Sequence, residues 1–319
     1  MAEIGKDIAK ARSLLQQGEL VAIPTETVYG LAANALDAAS VTKIFEAKNR
    51  PYFDPLIIHV PDIYSVKKFT EEIPQKALRL MEHFWPGPLT FLLDKKNIIP
   101  DLVTAGLDRV GIRCPDHPLT TELLKSLSFP LAAPSANPFG YVSPTTPAHV
   151  NDQLGNRISY ILDGGECRVG VESTIMGFEN DQTIIYRVGG LSIERIESVI
   201  GQVLVKTNSV SNPQAPGQLQ SHYAPRKPAE LGDIQNLIDE LSHRSVGLLT
   251  FQKTYSSSSI KKQIALSQSG NLEEAAQRLF SALRELDKSD VDVILLEEVP
   301  DIGLGRAIND RLRRAAAKS

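Results

Sequence analysis

Five cationic side chains lie beside predicted strand or helix ends in the first two-thirds of the chain. They are Lys48, Arg50, Arg109, Arg113 and Arg187. Ammonium and guanidinium groups donate charge-assisted hydrogen bonds to phosphate and carboxylate oxygens. A triphosphate carries roughly four negative charges near neutral pH, so a cluster of these cations would suit a nucleoside triphosphate beside a small polar acid.

Small polar side chains follow the same strands and would supply neutral donors and acceptors. Thr25 and Thr27 come directly after the apolar run 20–23, and side chains two residues apart in an extended segment point to the same side. Ser135 and Asn137 lie in a loop that two prolines make rigid. Ser173 begins a further strand-like run. Structural explanations remain open, since the threonines would also cap a following helix.

The corner after residue 47 combines two cations with a proline. Lys48 ends a helical series, and Pro51 forces the chain to leave the helix with Arg50 extended. This arrangement predicts an anion site. The following strand carries His59 among apolar residues, where the alternative is a core histidine with satisfied hydrogen bonds.

The segment from Arg109 to Arg113 predicts a strand with two arginines on one face. Gly111 lies between them and leaves room for a ligand against the backbone. The alternative is an edge strand that turns both arginines toward solvent.

Several common catalytic motifs are absent from the sequence. The chain has no G-x-x-x-x-G-K-[ST], H-E-x-x-H or G-x-S-x-G, and no G-x-G-x-x-G after a strand. Its two cysteines, Cys114 and Cys167, form no C-x-x-C pair, which excludes a cysteine zinc site and a disulfide scaffold. Any nucleotide must therefore be held by a different device, and we expect both cysteines to be buried thiols.

Short apolar runs alternate irregularly with helical patterns before residue 207. Helical spacing is found at 4–15, 41–48 and 77–84, and the strand-like runs are 20–23, 56–60, 89–93, 110–112, 131–133, 160–162, 174–176 and 183–186. This pattern predicts an α+β domain with a mixed, twisted sheet.

Helices and strands alternate regularly after Pro228. Helices are predicted at 234–241, at 272–286 and from about 305, with strands at 246–251 and 291–296. This alternation is typical of a small α/β, Rossmann-like module.

The distribution of proline marks the boundary between these parts. Of the 20 prolines, 19 lie at or before Pro228, and the stretch 207–217 is rich in turn formers. We therefore predict a first domain at 1–207, a linker at 208–228 that can cross a domain face, and a second domain at 229–319.

Length and charge fit a two-domain protein of mild acidity. The 319 residues carry 34 Lys and Arg against 38 Asp and Glu, a net charge of −4, and 42% of them are hydrophobic. This composition excludes disorder as the main state. No apolar run approaches membrane-spanning length and the start lacks a signal-peptide pattern, so we expect a cytoplasmic location.

Seven ordered motifs resemble the YrdC/Sua5 family, and the last two resemble its two-domain Sua5 branch. They are Pro-Thr-Glu-Thr-Val-Tyr-Gly-Leu at 24–31, Lys-x-Arg-Pro at 48–51 with Pro-Leu at 55–56 and His59, Ser-Ala-Asn at 135–137, Ser-Pro-Thr at 143–145, Glu-Ser-Thr at 172–174, Ser-His-Tyr-Ala-Pro at 221–225 and Gly-Leu-Gly-Arg-Ala-Ile-Asn-Asp-Arg-Leu at 303–312. The resemblance covers nearly the whole chain. It implies a YrdC-like catalytic domain followed by a Sua5 C-terminal domain.

The resemblance also implies a reaction. It implies that L-threonine, bicarbonate and ATP, with Mg²⁺, give threonylcarbamoyl-AMP and pyrophosphate, and that a transferase machinery uses this product to form t6A at position 37 of tRNA. The substrate supplies the nucleophile in this reaction, so no catalytic Ser-His-Asp or Cys-His arrangement is required.

The family's site residues carry over to positions in this chain. The threonine site falls on Thr27, His59, Arg113, Ser135 and Ser173. The ATP site falls on Arg50, Asp54, Arg109, Asn137, Thr145, Arg187 and the linker residue Tyr223. Because a carbamate is short-lived in water, the linker at 208–228 would serve as a lid over the site. Lys48 and Arg50 are the expected catalytic cations, with Lys48 contacting phosphate or bicarbonate, and no protein ligand for the metal is assigned.

Two positions depart from the family pattern. Asp54 stands where Asn is usual, so it would hold Mg²⁺ or face solvent. Asn49 stands where Gly is frequent, and Asn tolerates the left-handed backbone that Gly would favour.

Two other functions remain open from the residues. A double-stranded RNA-binding module would suit a concave basic face, although an isoelectric point near 5.9 argues against it. Carbamoyl transfer involving another amino acid is the other. The basic final helix would also permit a weak tRNA contact, against the alternative of a solvated face.

Overall fold

The chain forms two separate β-sheets. The computed structural model describes residues 1–180, 182–206, 215–217, 219 and 221–317, and within these residues one sheet has eleven strands and the other four. The strands of the larger sheet are β1 (Glu3–Gly5), β2 (Val21–Ile23), β3 (Gly30–Asn34), β4 (Ile57–His59), β5 (Leu89–Asp94), β6 (Arg109–Arg113), β7 (Leu131–Ala132), β8 (Tyr160–Leu162), β9 (Thr174–Glu179), β10 (Gln182–Arg187) and β11 (Leu204–Val205).

Helices accompany the larger sheet and begin at local capping signals. They are α1 (Ile8–Gln16), α2 (Ala38–Lys48), α3 (Gln75–Phe84), α4 (Asp101–Thr104), α5 (Pro118–Lys125), α6 (Pro147–Leu154) and α7 (Ile193–Ile200), with a 3₁₀ helix at Ile63–Lys68. Asp7 and Asp37 cap α1 and α2 by accepting hydrogen bonds from first-turn N–H groups. Proline opens α5 and α6, where the missing N–H has no intrahelical partner to lose.

The larger sheet mixes parallel and antiparallel pairs, as the irregular alternation predicts. Its strand order is β1-β8-β2-β3-β7-β4-β6-β5-β9-β10-β11. The strand β6 lies between β4, a parallel neighbour, and β5, an antiparallel one, so the edge-strand interpretation of Arg109–Arg113 is wrong. The β4–β6 register sets His59 directly beside Arg113.

The second sheet belongs to the C-terminal part. Its elements are β12 (Ala229–Leu231), α8 (Ile234–Glu240), β13 (Val246–Thr250), β14 (Ile260–Ala265), α9 (Leu272–Lys288), β15 (Val293–Leu296) and α10 (Gly305–Ala316). All three strand pairs, in the order β12-β15-β13-β14, are parallel. The fold class is the expected one: an α+β domain with a mixed sheet and a small α/β domain.

The two parts share a buried interface. One apolar cluster contains residues of the larger sheet together with residues of α9 and α10. Arg284 of α9 is buried and donates to the carbonyl of Ser143 and to Gln153. Tyr141 donates to Asp287 at 2.6 Å. Cys114 and Cys167 are buried free thiols, as expected, and none of the described helices is long and apolar enough to cross a membrane.

Gly170 tests this interface. Its φ is +80°, and an added Cβ would lie 2.3 Å from the Cα of Gln277 in α9. Gly165 has a φ of +77°, and no atom of the described residues lies within 4 Å of the position that its added Cβ would take. We expect Gly165→Ala to cost about 1 kcal/mol of unfolding free energy through backbone strain alone. We expect Gly170→Ala to cost about 1–3 kcal/mol more through overpacking. Urea unfolding of both variants measures the difference, and equal losses would contradict this interface.

Candidate active site

The loop after β2 brings two hydroxyl groups together. The Thr25 hydroxyl accepts hydrogen bonds from the backbone N–H groups of Thr27 and Val28 and lies 2.8 Å from the Thr27 hydroxyl oxygen. The side chains therefore converge as predicted. The next element is the strand β3, so the helix-capping interpretation of these threonines is wrong.

The corner after α2 fixes Arg50 in a buried position. Asn49 ends α2 with a left-handed φ of 52°, as expected for this position. Arg50 donates to the carbonyls of Asp54 and Pro55 at 3.1 and 2.8 Å, and its guanidinium lies 2.9 Å from the Asp54 carboxylate. Burial lowers the pKa of Arg50 and raises that of Asp54, and their mutual attraction opposes both shifts. Asp54 is fully buried, so it neutralises Arg50 and does not face solvent.

Lys48 supports the loop that carries Ser135. Its side chain is buried, and its Nζ donates to the carbonyls of Ser135 and Asn137, each at 2.5 Å. Burial, followed by the nearby Arg50 charge, lowers the pKa of Lys48 well below its ordinary value. Two of the three N–H donors of Lys48 are therefore used in hydrogen bonds to the protein backbone.

The neighbouring strands β4 and β6 place an imidazole beside a guanidinium. Burial, with a smaller contribution from the Arg113 charge, lowers the pKa of His59 to about 3. Arg113 donates from Nε to the carbonyl of Gly87 at 3.3 Å, and its Nη2 lies 2.7 Å from the Glu26 carboxylate. His59 is therefore neutral near pH 7, and Arg113 is the charged member of the pair.

Ser173 and Arg187 form the opposite wall. Arg187 donates to the Ser173 carbonyl from Nε at 3.1 Å and from Nη2 at 2.8 Å, and to the Ser173 hydroxyl at 3.2 Å. Its Nη1 donates to the carbonyl of Pro216 in the linker at 3.1 Å. Burial lowers the pKa of Arg187.

The linker lines the pocket, and the C-terminal domain packs against the linker residue Tyr223. The buried Tyr223 ring lies between Phe280 of α9, with ring centroids 5.7 Å apart, and the guanidinium of Arg311 of α10, at 5.0 Å. Arg311 is itself buried and donates to Glu172 at 2.9 Å. Gly217 of the linker is also close to Tyr223, since an added Cβ on Gly217 would lie 2.6 Å from the Tyr223 hydroxyl.

Most of the predicted site residues line one pocket. Among the residues that the structure describes, those predicted for the threonine site all do so, together with three predicted for the ATP site. They are Thr27, His59, Arg113, Ser135 and Ser173, and Arg50, Arg187 and Tyr223.

Five predicted residues lie outside the lining that is described. Lys48 and Asp54 are buried and bind other groups of the protein: Lys48 donates to two loop carbonyls, and Asp54 pairs with Arg50. Asn137 donates to the carbonyls of Pro138 and Tyr141, and the Thr145 hydroxyl lies 3.1 Å from the Ser281 hydroxyl at the domain interface.

Arg109 departs furthest from the prediction. It begins β6 whereas Arg113 ends it, and its guanidinium lies 3.3 Å from Glu179 and donates to the Tyr186 hydroxyl at 3.2 Å. Of the five cations in the expected cluster, Arg50, Arg113 and Arg187 line the pocket, whereas Arg109 is engaged elsewhere on the sheet. The ATP contacts of Asp54, Arg109, Asn137 and Thr145, and the contact of Lys48 with phosphate or bicarbonate, stay predictions.

Several pocket residues have no predicted role. Glu172, His222, Pro134 and Gly217 line the pocket, and Glu26 pairs with Arg113 behind it. The two glutamates lie within motifs already singled out, next to Ser173 and between Thr25 and Thr27. A search for carboxylates to balance the buried cations would have found them.

Two histidines of this pocket have an unsatisfied ring nitrogen. Within the described part of the chain, His59 Nδ1 and His222 Nδ1 are buried without a hydrogen-bond partner, and both residues line the pocket. Buried polar groups in folded proteins are nearly always hydrogen-bonded. The pocket is therefore built to receive a polar ligand.

Comparisons with known proteins cover both domains. The family model described as "Telomere recombination" matches residues 13–189, and the model described as "Threonylcarbamoyl-AMP synthase, C-terminal domain" matches residues 191–317. The threonylcarbamoyl-AMP synthase of Bacillus subtilis is 43% identical over 97% of this chain and 92% of its own length. The threonylcarbamoyl-AMP synthase of Pyrococcus abyssi is 41% identical over 96% of this chain and 93% of its own length.

A solved structure extends this similarity to the fold. The crystal structure of P. abyssi Sua5 complexed with L-threonine superposes with a TM-score of 0.92 at 39% identity. The match covers 99% of this chain and 97% of that chain.

The buried His59 gives a pH dependence of stability. Its folded-state pKa of about 3 lies below the ordinary value near 6.5, so below pH 6.5 the unfolded chain binds a proton that the folded chain does not. The stability of the folded protein is therefore not reduced by His59 above pH 6.5, and it falls progressively as the pH drops from 6.5 toward 3. We expect His59→Asn to reduce the slope of unfolding free energy against pH by about 1 kcal/mol per unit between pH 6 and 4.

Denaturant titrations at several pH values measure this slope. The variant His243→Asn, at an exposed position, controls for the substitution itself. An unchanged slope in His59→Asn would contradict a lowered pKa of His59 in the folded protein.

Proposed function

Because the chain belongs to the YrdC/Sua5 family in its two-domain form, we propose that its pocket converts L-threonine, bicarbonate and ATP into threonylcarbamoyl-AMP. The chain is a threonylcarbamoyl-AMP synthase, an enzyme of the nucleotidyltransferase type. The observation that carries the proposal is the meeting of Arg113, Ser135 and Ser173 with Arg50 and Arg187 in one pocket.

The first group fits a small hydroxy amino acid. Arg113 would pair with the threonine carboxylate, since its buried guanidinium lines the pocket. The hydroxyls of Thr27, Ser135 and Ser173 supply donors and acceptors for the amine and hydroxyl of the substrate. The neutral His59 can accept or donate one further hydrogen bond without adding charge.

The chemistry needs alignment more than a protein nucleophile. The threonine amine bonds to the carbon of bicarbonate, with loss of water, and gives a carbamate. A carbamate oxygen then attacks the α-phosphorus of ATP, and the bond to pyrophosphate breaks. Holding these groups in line and stabilising the charge on the phosphate oxygens are the tasks left to the protein.

Arg50 and Arg187 are placed to stabilise that charge. Both are buried and line the pocket, so their field is poorly screened by water. The described residues hold no cluster of three or more His, Cys, Asp or Glu side chains that could bind a metal ion. Asp54 is already paired with Arg50. We propose that Mg²⁺ enters with ATP, held mainly by phosphate oxygens and water.

Closure of the pocket protects the intermediate. A carbamate is short-lived in water, so a covered site favours the second step. Pro216, Gly217, His222 and Tyr223 of the linker line the pocket. We propose that this segment acts as a lid that limits the access of water.

The product is proposed to pass to a transferase machinery that forms t6A on tRNA. This proposal includes a cytoplasmic location, because tRNA and ATP are found there.

The final helix gives little support to a direct tRNA contact. Its arginines at 306, 311, 313 and 314 each lie within 3.0 Å of a carboxylate oxygen. Lys318 lies outside the described residues.

Arg50 tests the proposed function. We expect Arg50→Ala to lower threonine- and bicarbonate-dependent pyrophosphate release by at least about a hundredfold, because a buried cation facing the phosphates is lost. Released pyrophosphate, measured at saturating ATP, reports this change. Turnover at the level of the unmodified protein would remove Arg50 from the mechanism.

Two further variants make this result interpretable. Arg50→Ala leaves Asp54 as an unpaired buried carboxylate, so the double variant with Asp54→Ala restores charge balance and should remain equally inactive. Arg79→Ala, at an exposed position on α3, should retain full activity.

A further inference from the structure

Glu26 is a buried carboxylate to which the reaction assigns no task. It is 1% exposed and lies between Thr25 and Thr27. Those two threonines line the substrate pocket, whereas Glu26 lines a neighbouring cavity together with Gly87 and other residues. Glu26 thus lies behind the pocket wall and acts on a substrate only through a neighbouring side chain.

That neighbour is Arg113. The Glu26 Oε2 atom lies 2.7 Å from Arg113 Nη2, and the exposed fractions of the two side chains are 0% and 5%. The same oxygen accepts a hydrogen bond from the backbone N–H of Asp116 at 3.1 Å, which fixes the carboxylate in turn. The pair is therefore buried and anchored to the backbone.

Two anchors restrain the guanidinium. The Gly87 carbonyl accepts a hydrogen bond from Arg113 Nε at 3.3 Å, and the Glu26 carboxylate pairs with Arg113 Nη2. A free arginine side chain has about 2 kcal/mol of rotamer entropy to lose. If Arg113 is already fixed, the substrate carboxylate need not supply that ordering free energy when it binds.

A second effect of Glu26 has the opposite sign. Its negative charge offsets that of Arg113 and repels a substrate carboxylate, so removing it would tighten threonine binding if Arg113 stayed in place. However, an isolated cation in this buried position is costly, and the long side chain would turn toward other carbonyls or solvent. Loss of position should therefore outweigh the gain in charge.

We propose that Glu26 is a positioning residue that holds the Arg113 guanidinium for the carboxylate of the amino-acid substrate. This role rests on the proposed function, in which Arg113 pairs with that carboxylate. It makes recognition of the carboxylate depend on a residue that does not touch it.

The test is Glu26→Gln, which keeps the size of the side chain and removes its charge. We expect the KM for L-threonine to rise by about tenfold or more, the range for a lost charge-assisted hydrogen bond. Because ATP is bound by other residues, kcat and the KM for ATP should stay within about twofold. Production of the adenylate, followed by mass spectrometry over a range of threonine concentrations, gives these constants.

L-Threoninamide separates positioning from a general disturbance of the pocket. It lacks the carboxylate, so Glu26→Gln should change its KM far less than that of threonine. A Glu26→Asp variant keeps the charge on a shorter side chain, so its KM for threonine should lie between those of the unmodified protein and Glu26→Gln. Glu19→Gln removes a carboxylate from the half-exposed pair with Lys43 and should leave all constants unchanged.

Two results would overturn the proposal. One is a threonine KM in Glu26→Gln that is unchanged or lower, which would mean that charge offset outweighs positioning. The other is an equal rise in KM for threonine and threoninamide, which would indicate a structural role. Failure of the unmodified protein to make any adenylate would instead contradict the proposed function.

Discussion

The pocket depends on the cost of burying positive charge. Phosphate and carboxylate groups are best held by cations away from water, but an unpaired buried cation costs several kcal/mol. The chain meets this constraint by giving each such arginine an internal partner: Arg113 has Glu26, Arg50 has Asp54 and Arg311 has Glu172. Arg187 instead donates to the Ser173 carbonyl and the linker. The site is therefore organised before substrates arrive.

These partners explain why the site extends over most of the chain. The β4–β6 register sets His59 beside Arg113, and Gly30 forms a bridge to Ser135 that brings the proline-rich loop next to the first motif. Arg311 reaches across the domain interface to Glu172, immediately before Ser173. The C-terminal domain thus supports both the pocket wall and the linker residue Tyr223. It contributes to the site through the ion pair of Arg311 with Glu172 and through packing against Tyr223.

Sequence pattern gives the fold class and most of the pocket, because strand periodicity determines which side chains share a face. It does not give the position along that face, and Arg109 and Arg113 lie at opposite ends of β6. Nor does it show which donors the protein itself uses, as with Lys48. Two of the missed strands have physical reasons: β3 is Gly-Leu-Ala-Ala-Asn, poor in β-branched residues, and β14 is an edge strand in which three of the six residues are polar. The helices α5, α6 and α7, of eight residues each, are too short for a clear periodic signal.

The most direct measurement is isotope tracing of the product. The purified protein is incubated with L-threonine, ¹³C-bicarbonate, ATP and Mg²⁺, and the adenylates are analysed by mass spectrometry. The account predicts threonylcarbamoyl-AMP that carries one ¹³C atom, with pyrophosphate formed in equal amount. Formation of AMP and pyrophosphate without the labelled adduct, or of an adduct that lacks the label, would contradict the claim that one pocket joins these three substrates.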